Sequence, residues 1–206
     1  MNMKSRRVLV RALALIIPAI VICASCSKPI SLVTQVVNMI AVHNRHDVAG
    51  QMAFFADDAT FVIADQTPIV GKAAIRDLYR ADSVMKSELV YSDLRVSGDT
   101  VIVGSVVERN DLLRLLGLPD VHYLPGTRLV FKKGLIQRFE ASRLDQKQWR
   151  EMRDSFAALM TWLQTAHPEL MREVTSGRLA GNNAESAGGW MKLAGEWRES
   201  QAAKQE

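Results

Sequence analysis

"FFADDATF" at residues 54–61, followed by "GKAAIRDLY" at 71–79, is the stretch from which the fold is read. The first segment runs into "ATFVIAD", which is short, rich in β-branched and aromatic residues, and bounded by Asp58 and Pro68. That composition predicts a strand. The second opens on Gly71 and carries Ala74, Ile75, Leu78 and Tyr79 at helical spacing, so it predicts an amphipathic helix. Small residues in "GKAA" let such a helix begin tight against a sheet.

Working outward, "ISLVTQVVNMIAVHNRHD" at 30–47 repeats apolar residues at Leu32, Val33, Val36, Val37, Ile40 and Ala41, a first helix. Asp47 caps a second, "VAGQMAFFADD", whose Ala-Asp-Asp ends the helix and turns into the strand. Beyond residue 84 the text changes to strands. "SELVYSDLRV" and "TVIVGSVVER" are joined by "SGD", and "TRLVF" and "LIQRFEASRL" by "KKG"; both read as antiparallel hairpins. Between them "NDLLRLLGLPDVHYLPG" reads as an apolar loop or short helix ended by Gly117 and Pro119. Three helical segments close the chain, one of them opening on Pro168. Helices first, then strands, then helices is an α+β order, not an alternating doubly wound one.

This succession resembles the nuclear transport factor two-like superfamily, which includes polyketide-cyclase-like proteins and ketosteroid isomerases. The resemblance covers residues 31–144. It implies a strongly curved antiparallel sheet wrapped around N-terminal helices, a cone-shaped α+β barrel with an apolar interior. The domains expected are a cone domain over 27–144 and a C-terminal helical extension over 145–206, packed on or beside it. Trp149, Trp162, Trp190 and Trp197 all fall in that extension and are expected as core anchors.

The family's isomerases use a carboxylate base on the first strand, with a tyrosine and a protonated aspartate as oxyanion hole. Counted from "ADDAT", those positions fall at Ile63 for the base, Met39 for the tyrosine and Thr127 for the second acid. None ionises, so chemistry of that type is not implied. With Phe61 these three residues are the candidates for an apolar ligand site. Asp65 and Glu140 are the candidate catalytic carboxylates, Asp65 because two residues along a strand returns to the same face. Glu108, Arg128 and Glu140 lie on expected strands, and solvated outer positions are expected for all three. His43 and His46 sit three apart beside Asp47, with His122 further on. That spacing is no recognised ligand motif, and neither a metal nor a cofactor is expected.

Composition bears on place. The first residues, "MNMKSRRVLVRALALIIPAIVICASC", put Lys4, Arg6, Arg7 and Arg11 before an apolar run from Ala12 to Ala24. A secretory signal over 1–26 is expected, since the run is well short of the roughly 20 residues a spanning helix needs. Cys23-Ala24-Ser25-Cys26 resembles the lipobox of bacterial lipoproteins, which implies lipid attachment at Cys26 and loss of Cys23 with the signal. "SRRVLVR" is similar to a twin-arginine export signal. The chain holds 26 Lys plus Arg against 22 Asp plus Glu, and four of the basic residues lie in 1–26. The remainder is electrically balanced, which gives no case for nucleic-acid binding, and once Cys23 is lost with the signal the only cysteine left is Cys26.

The expectation from sequence is therefore an exported lipoprotein of a bacterial cell envelope, lipid-anchored, facing the periplasm if the host has an outer membrane. Its cone domain would bind a small apolar ligand or a protein partner without catalysis. The alternatives are an isomerase, cyclase or dehydratase using a pocket carboxylate, and an interaction module that homodimerises through its sheet.

Overall fold

A computed structural model describes residues 30–64, 66–175 and 183–204. The signal segment, Cys23, Cys26 and Asp65 lie outside the described residues.

Seven strands form one sheet: β1 (Phe55–Ile63), β2 (Ile69–Val70), β3 (Glu88–Ser97), β4 (Thr100–Arg109), β5 (Val121–Tyr123), β6 (Thr127–Lys132) and β7 (Leu135–Ala141). The spatial order is β2-β1-β7-β6-β4-β3, with β5 paired to β4. Both expected hairpins are present, β3 with β4 and β6 with β7. β1 runs parallel to β7, placing Phe61 beside Phe139, and their rings stack at 4.4 Å. The α+β class and curved sheet are as expected, and C-terminal helices complete the molecule.

Against the sheet lie α1 (Leu32–His43), α2 (Val48–Met52) and α3 (Lys72–Val84). Ser31 caps α1 by accepting from the Thr34 amide, and Asp47 caps α2 through Gly50. Asn44 clamps the end of α1 to β3, bonding the carbonyl and the amide of Leu89 at 2.9 Å each. α2 is shorter than the sequence predicts. Phe55 is completely buried and already registered against Ile136 of β7, so "ADD" belongs to the strand. Sheet pairing and burial outweigh the helical propensity of Ala there.

The buried side chains of these elements, among them Val36, Met39, Phe55, Ile75, Val101 and Leu129, form the main core. α4 (Asp111–Leu115) and β5 occupy the segment between the hairpins. After β7 come α5 (Gln146–Ala166), α6 (Pro168–Thr175) and α7 (Ala184–Ala202). α7 packs along α3 and α4, and Leu116, Leu159 and Ala194 centre a second core with Phe156, Trp162, Trp190 and Trp197 around them. Trp149 departs from the expected core role, being 52% exposed.

The β3–β4 hairpin is kinked where Asp93 faces Gly104. Asp93 has φ 56, and a Cβ on Gly104 would stand 2.7 Å from the Asp93 Cβ, so only glycine permits this approach. The inward positions of β4 change parity across the kink, from Val101 and Val103 to Val106 and Glu108. On β3 they change from Leu94 to Tyr91 and Leu89. A one-residue shift in alternation exchanges the two faces of a strand, and here it happens in both strands at one level.

Candidate functional site

The end of the cone past this kink encloses a cavity of about 110 Å³. Its apolar wall comes from Phe61, Ile63, Leu78, Leu89, Val106 and Phe139. Its polar groups are Asp82 on α3, Ser87 before β3, Tyr91 on β3, Glu108 on β4, Tyr123 on β5 and Thr127 on β6. Tyr79, in edge contact with His43 and Phe61, completes the lining.

Glu108 is the best-supported polar group. Its Oε1 accepts from Ser87 Oγ and Asn110 Nδ2 at 2.9 Å each, and its Oε2 accepts from the Tyr123 hydroxyl at 2.5 Å. Each donor has an architectural reason to be there. Asn110 is the N-cap of α4, its Oδ1 accepting from the Leu113 amide while its amide group reaches back to Glu108. Ser87 follows α3, its own amide held by the Asp82 carbonyl at 2.8 Å. Tyr123 faces inward from β5, the short strand on β4.

Asp82 is the opposite case. Among the described residues no side chain or backbone group hydrogen-bonds its carboxyl, which faces the cavity. Burial first, and the Glu108 charge second, push it well above the usual carboxylate range, the direction expected of a carboxyl withdrawn from solvent beside a like charge. Burial likewise raises the phenols of Tyr79, Tyr91 and Tyr123, so they serve as neutral donors. His43 is held down at about 4, mainly by burial.

Phe61, Ile63 and Thr127 line the cavity, whereas Met39 lies in the main core, outside its lining. The Thr127 hydroxyl is engaged, accepting from the Ser142 amide at 3.1 Å. Glu140 takes the outer position expected for it and does not point inward, so the alternative of a catalytic pocket carboxylate at this residue is corrected. It sits between inward-facing Phe139 and Ala141, and accepts from Arg138 Nε at 2.6 Å. Glu108 is corrected in the other direction, from outer face to cavity, by the change of parity at Gly104. Asp82 carried a signal that the sequence reading passed over: it follows Ile75, Leu78 and Tyr79 at helical spacing, an acid in an apolar stripe. His43, His46 and His122 are not gathered. Among the described residues no three His, Cys, Asp or Glu side chains could hold a metal ion, and no helix is long and apolar enough to cross a membrane.

The fold is a cone-shaped α+β domain whose cavity is lined by two carboxyl groups in contrasting environments. The sequence matches the SnoaL-like domain over residues 36–139, more than half of the chain, and the protein belongs to that nuclear transport factor two-like family. Among solved structures it is similar to a nuclear transport factor two-like protein of unknown function from Cytophaga hutchinsonii, with 13% identity, 60% of this chain and 97% of that one covered, and TM-score 0.48. It is also similar to an epoxide hydrolase/cyclase-like enzyme of pyran-ring formation in the polyether salinomycin, with 15% identity, 55% and 89% covered, and TM-score 0.48. No curated protein matches the sequence.

Proposed function

We propose that the domain is a small-molecule acid–base catalyst of the isomerase or cyclase kind, with Glu108 as the base and Asp82 as the proton-bearing acid. One observation carries this: two carboxyl groups from different elements share one cavity, and among the described residues one receives three hydrogen bonds while the other receives none. Pairs of titratable groups whose surroundings drive them apart are how one site supplies both an acid and a base. Tyr123, Ser87 and Asn110 fix the orientation of the Glu108 carboxylate within the cavity. Asp82, with no hydrogen-bond partner for its carboxyl among the described residues, can donate to an oxygen of the substrate that gains negative charge. The apolar wall orients the remainder of the molecule.

The test is deuterium exchange. The protein is incubated in D2O with a panel of small ketones, and loss of the proton next to the carbonyl is followed by NMR. Exchange faster than in buffer, and lost in Glu108→Gln, is expected. Exchange at the buffer rate for every ketone overturns proton transfer.

A second reading, binding without catalysis, is favoured by the three hydrogen bonds on Glu108, which occupy both of its oxygens.

We further propose that the protein works at a membrane surface of the bacterial envelope, attached through a lipid on Cys26. The basic start, the short apolar run and Cys23-Ala24-Ser25-Cys26 support this. α1 begins at Leu32, so even a fully extended link from Cys26 would keep the cone within about 20 Å of the anchor.

A further inference from the structure

The cavity holds two carboxyl side chains and no cationic one among the described residues. Among its described lining residues there is no Lys, Arg or His. The donors to Glu108 are a serine hydroxyl, an asparagine amide and a phenol, all neutral. The half-buried Asp82 lines the same space, and its carboxyl has no donor among the described residues. Charged residues are seldom buried without a counter-charge, so within this lining the chain has supplied the anionic half of an ion pair and not the cationic half.

The surroundings say what kind of cation fits. Phe61, Tyr91, Tyr123 and Phe139 contribute aromatic rings to the wall, and aromatic rings attract organic cations while tolerating their alkyl groups. A hard metal ion is a poor match, because it demands six or so oxygen ligands and most of this wall is carbon. About 110 Å³ of space is somewhat less than the roughly 150 Å³ of an apolar cavity that accepts benzene. A compact head group fills it.

We propose that the molecule completing this cavity carries a small alkylammonium group, with Asp82 and Glu108 as its counter-charges and the aromatic rings as the surface around its carbon atoms. This rests on the cavity being the ligand site, as under Proposed function, and not on the occurrence of proton transfer. A neutral amine entering the site takes the Asp82 proton: the O–H bond breaks, an N–H bond forms, and an ammonium is left beside two carboxylates. A permanently charged ligand instead sends that proton to solvent.

The experiment is a calorimetric or NMR titration at constant ionic strength with two probes of nearly the same size and shape, tetramethylammonium and uncharged tert-butanol. Tetramethylammonium is expected to bind at least about tenfold tighter. Asp82→Asn and Glu108→Gln are each expected to remove most of that preference while leaving tert-butanol binding in place, which also shows that the variants retain the cavity. Equal affinity for the two probes, no binding of either, or a cation preference unchanged in both variants overturns the inference. Ketone exchange without cation preference would remove this inference alone. Cation binding without exchange would remove the catalytic reading alone.

Discussion

Tyr123 donates its hydroxyl proton to Glu108 Oε2 across 2.5 Å, and the strand register is what lets the two meet. Tyr123 lies opposite Val106 and Glu108 opposite Val121, so the pair is diagonal on one face of an antiparallel ladder, within reach of long side chains. Tyr123→Phe removes this donor and keeps the ring. A loss of about 1.5–3 kcal/mol is expected, the range for a hydrogen bond to a charged group, read by urea denaturation. An unchanged midpoint would show that Glu108 does not depend on this bond.

Asp82→Asn is expected to stabilise the protein at neutral pH. The folded state holds the Asp82 proton far above the pH at which the unfolded chain releases it, so raising the pH from the ordinary carboxyl range upward favours unfolding. An uncharged isostere abolishes that slope. The gain should be about 1 kcal/mol or more, roughly 2–4 °C in melting temperature for a domain of this size, and should vanish below about pH 4, where aspartate is protonated in both states.

His43 has the opposite sign. Its value falls from 6.5 unfolded to about 4 folded, so between those limits the unfolded chain binds the extra proton and stability drops as the solution is acidified. The full swing is about 3 kcal/mol. In wild type the Asp82 slope opposes it. Stability of Asp82→Asn should fall more steeply with acid than wild type, and that of His43→Gln less steeply, in melts taken across this window.

Gly104→Ala brings a methyl group to 2.7 Å from the Asp93 Cβ. Overpacking of this sort costs about 1–3 kcal/mol. Because the kink turns Glu108 inward, loss of tert-butanol or tetramethylammonium binding should accompany the lower melting temperature. Binding retained at wild-type strength would show that the kink does not set the cavity.

The anchor is tested by mass spectrometry of the mature N-terminus. Acyl mass on Cys26, absent from Cys26→Ala, is expected; an unmodified, freely released protein would remove the membrane placement.

Most of the scaffold was legible because period carries it: the three-and-four spacing of α1 and α3 and the turns "SGD" and "KKG" are local signals. The site was hidden by one residue. Counting alternation forward from Val101 and Val103 puts Glu108 outside, and only the close approach at Gly104 brings it in. A glycine amid the β-branched run "VIVGSVV" was the available hint. Asp82 was discoverable by pattern, whereas the three donors converging on Glu108 come from separate elements and require the tertiary structure.

α3 has a different kind of neighbour on each side. Ile75 and Tyr79 belong to the main core, Asp82 looks into the cavity, and the outer flank meets α7. Those two cores are built from different side chains, so the tail can open as a cooperative unit of its own while the cone stays closed. Hydrogen exchange would then show α3 protected in two tiers, and any partner gripping the tail would hold a lever on the helix that carries the acid.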